Sequence, residues 1–357
     1  MSNTSSAADQ TVSDFIARGA TGPLPRHYGD ALVTAARKDP RIVALCADLP
    51  GPTETDLFQA ELPDRYFEAG IAEANMIGMA AGFARMGQIP FVHSFCVFVT
   101  RRAYDQVANQ VAYPKLPVKI VGFLPGLTTM LGVSHQAIDD VALMRALPNM
   151  TVIEPSGPEQ LAGAVTAALD TPVPVYLRLL RGDAASAGIA HKPLKRAGEV
   201  LRRGPHGTIF ASGLSVVAAL EAAETLGKDG REVTVVNIAT VKPLDTALIV
   251  ELAKATGTVV TAENHSIIGG LGSAVAETLM EAGVPAGFAR VGIQDTFAEG
   301  GTTPYLQAKY GLGAKDIVAA YGRAAAARLS FGVERRDSRY GERHEGGADQ
   351  GGAAKQM

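Results

Sequence analysis

Four residue types in this chain can do chemistry at close quarters. Glu73 is an acid set among Ile71, Ala72, Ala74 and Met76. Phe95 and Phe98, three apart, supply aromatic faces, and His135 lies in the triplet Ser134-His135-Gln136. Arg178 and Arg181 close an apolar run. A carboxyl group in an apolar site beside aromatic faces can hold a planar heterocycle by one hydrogen bond and ring contact. A histidine titrates near neutrality and can pass a proton to or from a substrate oxygen. A guanidinium fork suits a phosphate or a carboxylate. Each residue also has a structural reading. Glu73 suits a helix start, where the macrodipole favours an acid. The phenylalanines suit a core, His135 a loop cap before a helix, and the arginines a surface. Periodicity alone favours these plainer readings for Glu73 and the phenylalanines.

The elements around them read as alternating strands and helices. A strand-like run, Tyr66–Ile71, precedes Glu73, and an Ala/Gly/Met-rich helix pattern covers Asn75–Arg85. Apolar strands follow at Pro90–His93, Pro117–Phe123, Thr151–Glu154 and Val173–Leu179, with helices at Ala137–Leu147 and Glu159–Leu169. Upstream, Leu24–Lys38 reads as a helix and Ile42–Cys46 as a buried strand ending at Ala47-Asp48-Leu49-Pro50-Gly51. Ligands usually sit at the carboxyl ends of parallel strands, which marks Asp48 and Leu49. An Asp in a Pro/Gly turn explains the same residues equally well. The alternation predicts two three-layer α/β/α domains with mostly parallel sheets.

The run Gly70-Ile-Ala-Glu-Ala-Asn-Met-Ile-Gly-Met-Ala-Ala-Gly82, then His93-Ser-Phe-Cys-Val-Phe-Val-Thr-Arg-Arg-Ala-Tyr-Asp-Gln106, resembles the pyrimidine-binding domain of transketolase-like thiamine diphosphate enzymes. The likeness continues through Ser134–Met150 and Val152-Ile-Glu-Pro155, spanning most of residues 25–183. Glu263-Asn-His-Ser-Ile-Ile-Gly-Gly-Leu-Gly272 is similar to the C-terminal domain of the same family.

The resemblance implies thiamine diphosphate as cofactor. Its thiazolium C2 proton must leave, and the internal base is the 4′-amino group of its own pyrimidine. That group becomes basic enough only when a carboxyl hydrogen-bonds the opposite ring nitrogen, a part the resemblance gives to Glu73. Phe95 and Phe98 would face the aminopyrimidine. Asp48 and Leu49 match a loop near the thiazolium, and Arg101 falls near the ring. His135 would meet a substrate oxygen. Arg181, with Arg178 second, would meet a substrate phosphate.

One loop departs from the family pattern. Sugar-using relatives carry polar pairs where Phe123-Leu124 and Met130-Leu131 stand here. Their apolar replacement argues for a less hydroxylated or otherwise unusual substrate. The Gly-Asp-Gly and later Asn that hold magnesium on the diphosphate do not occur in that context. The resemblance therefore implies a split enzyme. A separate N-terminal, diphosphate-binding transketolase subunit would carry the Mg2+ ligands, in a homodimer of heterodimers acting on a sugar phosphate or related small molecule. The expected reaction is transfer of a two-carbon ketol unit. A decarboxylating relative, such as a 1-deoxyxylulose-5-phosphate synthase-like enzyme or a 2-oxo acid dehydrogenase beta subunit, is the alternative. A non-catalytic pseudo-subunit is the third reading.

The glycine-rich turn Gly269–Gly272 is not a dinucleotide fingerprint, because no acid follows at a second strand end about 20 residues on. A net charge of −3 gives no footprint for nucleic acid or an anionic membrane, and no apolar run is long enough to span a bilayer. The start of the chain lacks the pattern of a signal peptide, and Cys46 and Cys96 sit in apolar surroundings, so buried free thiols in the cytoplasm are expected. The expected organisation is a disordered stretch at 1–19, a pyrimidine-binding domain at 20–185 and a linker at 186–206. A C-terminal domain at 207–331 and a disordered tail at 332–357 complete it.

Overall fold

Ile42–Cys46 is apolar at all five positions and buried at all five, as a central strand covered on both faces must be. The structure, a computed structural model, describes residues 25–181, 194 and 197–341. Among the described residues twelve strands run in chain order: β1 Ile42–Cys46, β2 Tyr66–Glu68, β3 Ile89–Phe95, β4 Lys119–Phe123, β5 Thr151–Ile153, β6 Val175–Leu179, β7 Glu199–Pro205, β8 Thr208–Ala211, β9 Val233–Asn237, β10 Thr240–Lys242, β11 Thr258–Ser266 and β12 Gly287–Ile293. They form two sheets. The first has the order β10-β5-β6-β4-β3-β1-β2 and the second β12-β11-β8-β9-β7.

Within the first sheet, β1 to β6 pair in parallel, so the loops after them open on one edge. Only β10 is antiparallel, and it comes from beyond β9 of the second sheet. The second domain thus lends an edge strand to the first. The second sheet is parallel apart from β7 on β9. That architecture is the pair of mostly parallel α/β domains expected from the alternation.

Two boundaries differ from expectation. Glu199–Pro205 lies inside the expected linker 186–206, yet it is a strand paired with β9. None of its residues is fully buried, as on an edge strand, and its composition is that of a linker. The last helix, Ala314–Gly341, carries the chain ten residues into the expected disordered tail. The expected disorder at 1–19 and at 342–357 lies outside the described residues.

A polar pair sits in the first core. His93 on β3 is fully buried; Tyr28 donates its hydroxyl to Nε2 at 2.8 Å and Nδ1 donates to the Leu45 carbonyl at 3.0 Å. Burial lowers the His93 pKa to about 4, so the ring is neutral.

The two domains meet through buried charge. Arg178 on β6 has no exposed surface. Its Nε donates to Asp140 at 2.7 Å, Nη1 to Glu154, and Nη2 to the carbonyls of Ala137 at 3.1 Å and Asn264 at 3.0 Å. Ser212 of the second domain donates to Glu154 at 2.8 Å. Burial alone would raise the Asp140 pKa, but Arg178 holds it below the usual carboxylate range. Asn264 crosses the junction, accepting from the Leu127 amide and donating to the Pro125 carbonyl. Gly126 stands between them at φ +55°, where a Cβ would lie 2.2 Å from the Asn264 carbonyl oxygen. Glycine is required there on both counts. Glu263 accepts from the amides of Leu271 and Gly272, so the glycine-rich turn is closed by a carboxylate from its own chain. The Glu263 carboxyl oxygens already take the amides a dinucleotide phosphate would need.

Candidate active site

Glu73 opens the helix Glu73–Arg85, directly after the loop that leaves β2. The helix buries Met76, Ile77, Ala80, Ala81 and Ala84, and its small residues let it lie close to the chain after β3. Glu73 is consequently only 3% exposed, at the positive end of the helix dipole. Both the helix-start reading and the site reading of this residue are satisfied by the same placement.

The chain after β3 carries the aromatic residues. Phe95 ends the strand and is buried in the first core, while Phe98 is half-buried and opens a π-helical segment, Phe98–Arg102. A second π-helical segment follows at Val107–Ala112. Such turns are rare and tend to occur at functional sites. The ring centroids of Phe95 and Phe98 lie 5.8 Å apart.

His135, from the loop after β4, comes edge-on to Phe98 at 5.1 Å and lies 6.2 Å from Phe95. Its Nδ1 is 2.9 Å from the Ser134 hydroxyl. Burial and then the positive charge of Arg102 lower the His135 pKa below its ordinary value. The loop itself is braced from the second domain: the Gln136 side chain donates to the Glu299 carbonyl at 2.9 Å, and Leu127 and Ile138 pack with Ile293, Ala298, Leu306 and Leu312. The second domain therefore contributes to the site by holding the histidine loop.

Arg102 completes the cluster. Its Nη1 donates to Glu73 at 3.1 Å, and its guanidinium carbon lies 3.9 Å from the Phe98 ring centroid. Sequence reasoning chose Arg101 instead. Arg101 turns to Asp139, with Nη2 at 2.8 Å and Nε at 2.9 Å, and so ties the end of the histidine loop to the Phe98 segment. The available signal was spacing, since residues four apart on a helical turn share a face, as Phe98 and Arg102 do.

The remaining predicted residues are spread along the same sheet edge. Asp48 is exposed at φ 56°, and its amide donates to Glu68 at 2.7 Å. Glu68 also accepts from the Gly70 amide, joining the Asp48 loop to the approach to Glu73. Leu49 is half-buried against the first core. Arg181 follows β6 and is half-buried. Burial raises the Glu54 pKa against the pull of nearby charges, Arg181 among them, which puts Arg181 near the loop after β1. Arg178 is corrected: it belongs to the domain junction, because its side chain points into the core and is held by two carboxylates and two carbonyls.

The donor set fits one part of a thiamine cofactor. A nearly dry carboxyl and a half-buried aromatic ring, both contacted by Arg102, are the kinds of group an aminopyrimidine ring requires. Comparison with known proteins decides the family. Residues 25–185 match the family model for the transketolase pyrimidine binding domain, and residues 196–317 match the transketolase C-terminal domain. A 6-deoxy-6-sulfo-D-fructose transketolase subunit from Clostridium sp. (strain MSTE9) is 48% identical over 295 residues, covering 82% of this chain and 91% of that protein.

The chain belongs to the transketolase family. Among solved structures, a split gene transketolase described as an inactive beta4 tetramer is similar with a TM-score of 0.79 and 44% identity, over 85% of this chain and 98% of that one. A 1-deoxy-D-xylulose-5-phosphate synthase from Geobacter sulfurreducens is 38% identical over 82% of this chain, which spans 46% of that protein. This transketolase-family chain thus corresponds to the pyrimidine-binding and C-terminal domains, and the expected fold and family are borne out. Among the described residues no helix is long and apolar enough to cross a membrane.

Proposed function

We propose that this chain is the C-terminal subunit of a two-component transketolase, transferring a two-carbon ketol unit with thiamine diphosphate. The observation that carries the reading is the buried Glu73 carboxyl, joined through Arg102 to the Phe98 ring against which His135 lies. When bound, the cofactor supplies a nucleophilic carbon that carries the two-carbon unit between substrates. Glu73 hydrogen-bonds the pyrimidine ring nitrogen and keeps a proton there, in a place where little water competes. Phe98 offers its face to the ring, and Phe95 backs it from the core. Ser134 engages Nδ1 of His135, so Nε2 is the nitrogen for a substrate oxygen. Asp48 and Leu49 border the thiazolium side, and Arg181 is the cation for a phosphate or similar anion. Arg101 and Arg178 serve as positioning and junction residues.

The partner is an N-terminal, diphosphate-binding transketolase subunit carrying the Mg2+ ligands, in a homodimer of heterodimers. Likeness over 91% of a transketolase subunit supports this, as does a similar split gene transketolase described as an inactive beta4 tetramer. A cytoplasmic location agrees with the free, buried Cys46 and Cys96. Leu131 is 39% exposed and Val133 48% exposed in the histidine loop, which supports a substrate less hydroxylated than a pentose phosphate. A relative named for a sulfo-sugar is in keeping with an unusual substrate. Likeness to 1-deoxy-D-xylulose-5-phosphate synthases favours a second reading, decarboxylation of a 2-oxo acid. Release of carbon dioxide from pyruvate separates the two.

The test is Glu73→Ala, assayed with the partner subunit. Turnover is expected to fall by at least about a hundredfold while the complex still assembles. Unchanged turnover would reduce the chain to a scaffold.

A further inference from the structure

Arg102 holds both features that a pyrimidine ring would need. Its Nη1 donates to the Glu73 carboxyl at 3.1 Å, and its planar guanidinium covers Phe98 at 3.9 Å. The side chain is nevertheless 48% exposed, whereas the Glu73 side chain it serves is 4% exposed. Among the described residues, no other side chain donates to Glu73. A flat, delocalised cation that presents N–H groups in its own plane and lies on an aromatic face reproduces the outline of a protonated aminopyrimidine. The ring and Arg102 cannot occupy the Phe98 face together.

We propose that Arg102 is a placeholder for the aminopyrimidine, filling its position in the cofactor-free subunit and swinging into solvent when the cofactor binds. The inference rests on the reading of Glu73 and Phe98 as the pyrimidine site. Physical chemistry gives the placeholder a purpose. A buried carboxylate without a partner is costly, and an unfilled aromatic face invites unwanted contact. Arg102 meets both needs in the unassembled chain. Its half-exposed position keeps the arrangement weak enough to be displaced, since exposed ion pairs and exposed cation–π contacts are each modest. The half-exposed stem leaves Arg102 a path outward that the buried Arg178 lacks.

The test is calorimetric titration of thiamine diphosphate with Mg2+ into the complex of this chain with its diphosphate-binding partner. Wild type is compared with Arg102→Ala and with Arg102→Met, which keeps an apolar stem but no charge. Removing the placeholder is expected to tighten cofactor binding by roughly tenfold, the scale of one exposed ion pair plus one cation–π contact. Melting curves of each variant check that the fold is kept, and Arg102→Met serves if Arg102→Ala does not fold. Unchanged or weaker binding in the folded variants overturns the proposal, because Arg102 would then be a bystander or a cofactor-holding group. No binding by the wild-type complex would instead overturn the reading of the pyrimidine site, and the placeholder with it.

Discussion

The Glu73 cluster and the Arg178 junction both bury acids, but they satisfy them differently. At the junction Asp140 and Glu154 share one fully buried arginine, and Tyr176, Ser212 and two backbone carbonyls complete the network. Every group comes from the interior, and the network joins two domains. At the site, Glu73 takes its hydrogen bond from a half-exposed arginine that also lies over a half-buried aromatic ring. Charge held only by interior groups fixes a structure. Charge held by a side chain that can leave is available for exchange with a ligand. The difference explains why Arg178, an arginine on a strand leading to the site edge, is held in the domain junction, while Arg102, on a helical turn, is placed to serve the proposed site.

Substitution should separate the two regions. Arg178→Ala leaves two buried carboxylates without their cation, so the chain should lose about 3–5 kcal/mol of stability, read by denaturant unfolding. Activity should fall only as far as the folded population does. A folded Arg178→Ala variant of native stability would dissolve the contrast. A smaller effect concerns pH. Arg178 lowers the Asp140 pKa, so the stability gained there is present above the ordinary carboxylate value and is lost as pH falls through the lowered one. His135 is also lowered, by burial and by Arg102, so its ring stays neutral to a lower pH than an ordinary histidine. Any stability it contributes is full above the unfolded value and declines as pH falls toward the folded one. Arg102→Met removes one of the two causes. The His135 ring signals, followed by NMR, should then titrate at higher pH than in wild type, with the junction's acid transition unmoved.

Much of the candidate site was legible because the residues proposed for it cluster in short motifs. Glu73, Phe95, Phe98 and His135 come from three loops on one sheet edge, and a parallel sheet gathers such loops without further information. The resemblance marks Arg101 near the ring; in the structure Arg101 pairs with Asp139, while Arg102, four residues after Phe98, lies over that ring. Arg178 was misread because its partners lie 24, 38 and 86 residues away in sequence, and no local pattern reports them. The lent strand β10 is three residues long and pairs with the other domain's sheet, so periodicity could not show it. Edge strand β7 has a half-exposed surface and charged residues, which resemble a linker in composition.

Deuterium uptake at the thiazolium C2 position of bound thiamine diphosphate tests the role of Glu73 without any need to know the substrate. The complex of wild-type chain and partner subunit should exchange this hydrogen rapidly, and Glu73→Gln should slow exchange by at least about a hundredfold while the cofactor stays bound. Equal exchange in the two complexes would contradict the assignment of this buried acid as the group that activates the cofactor.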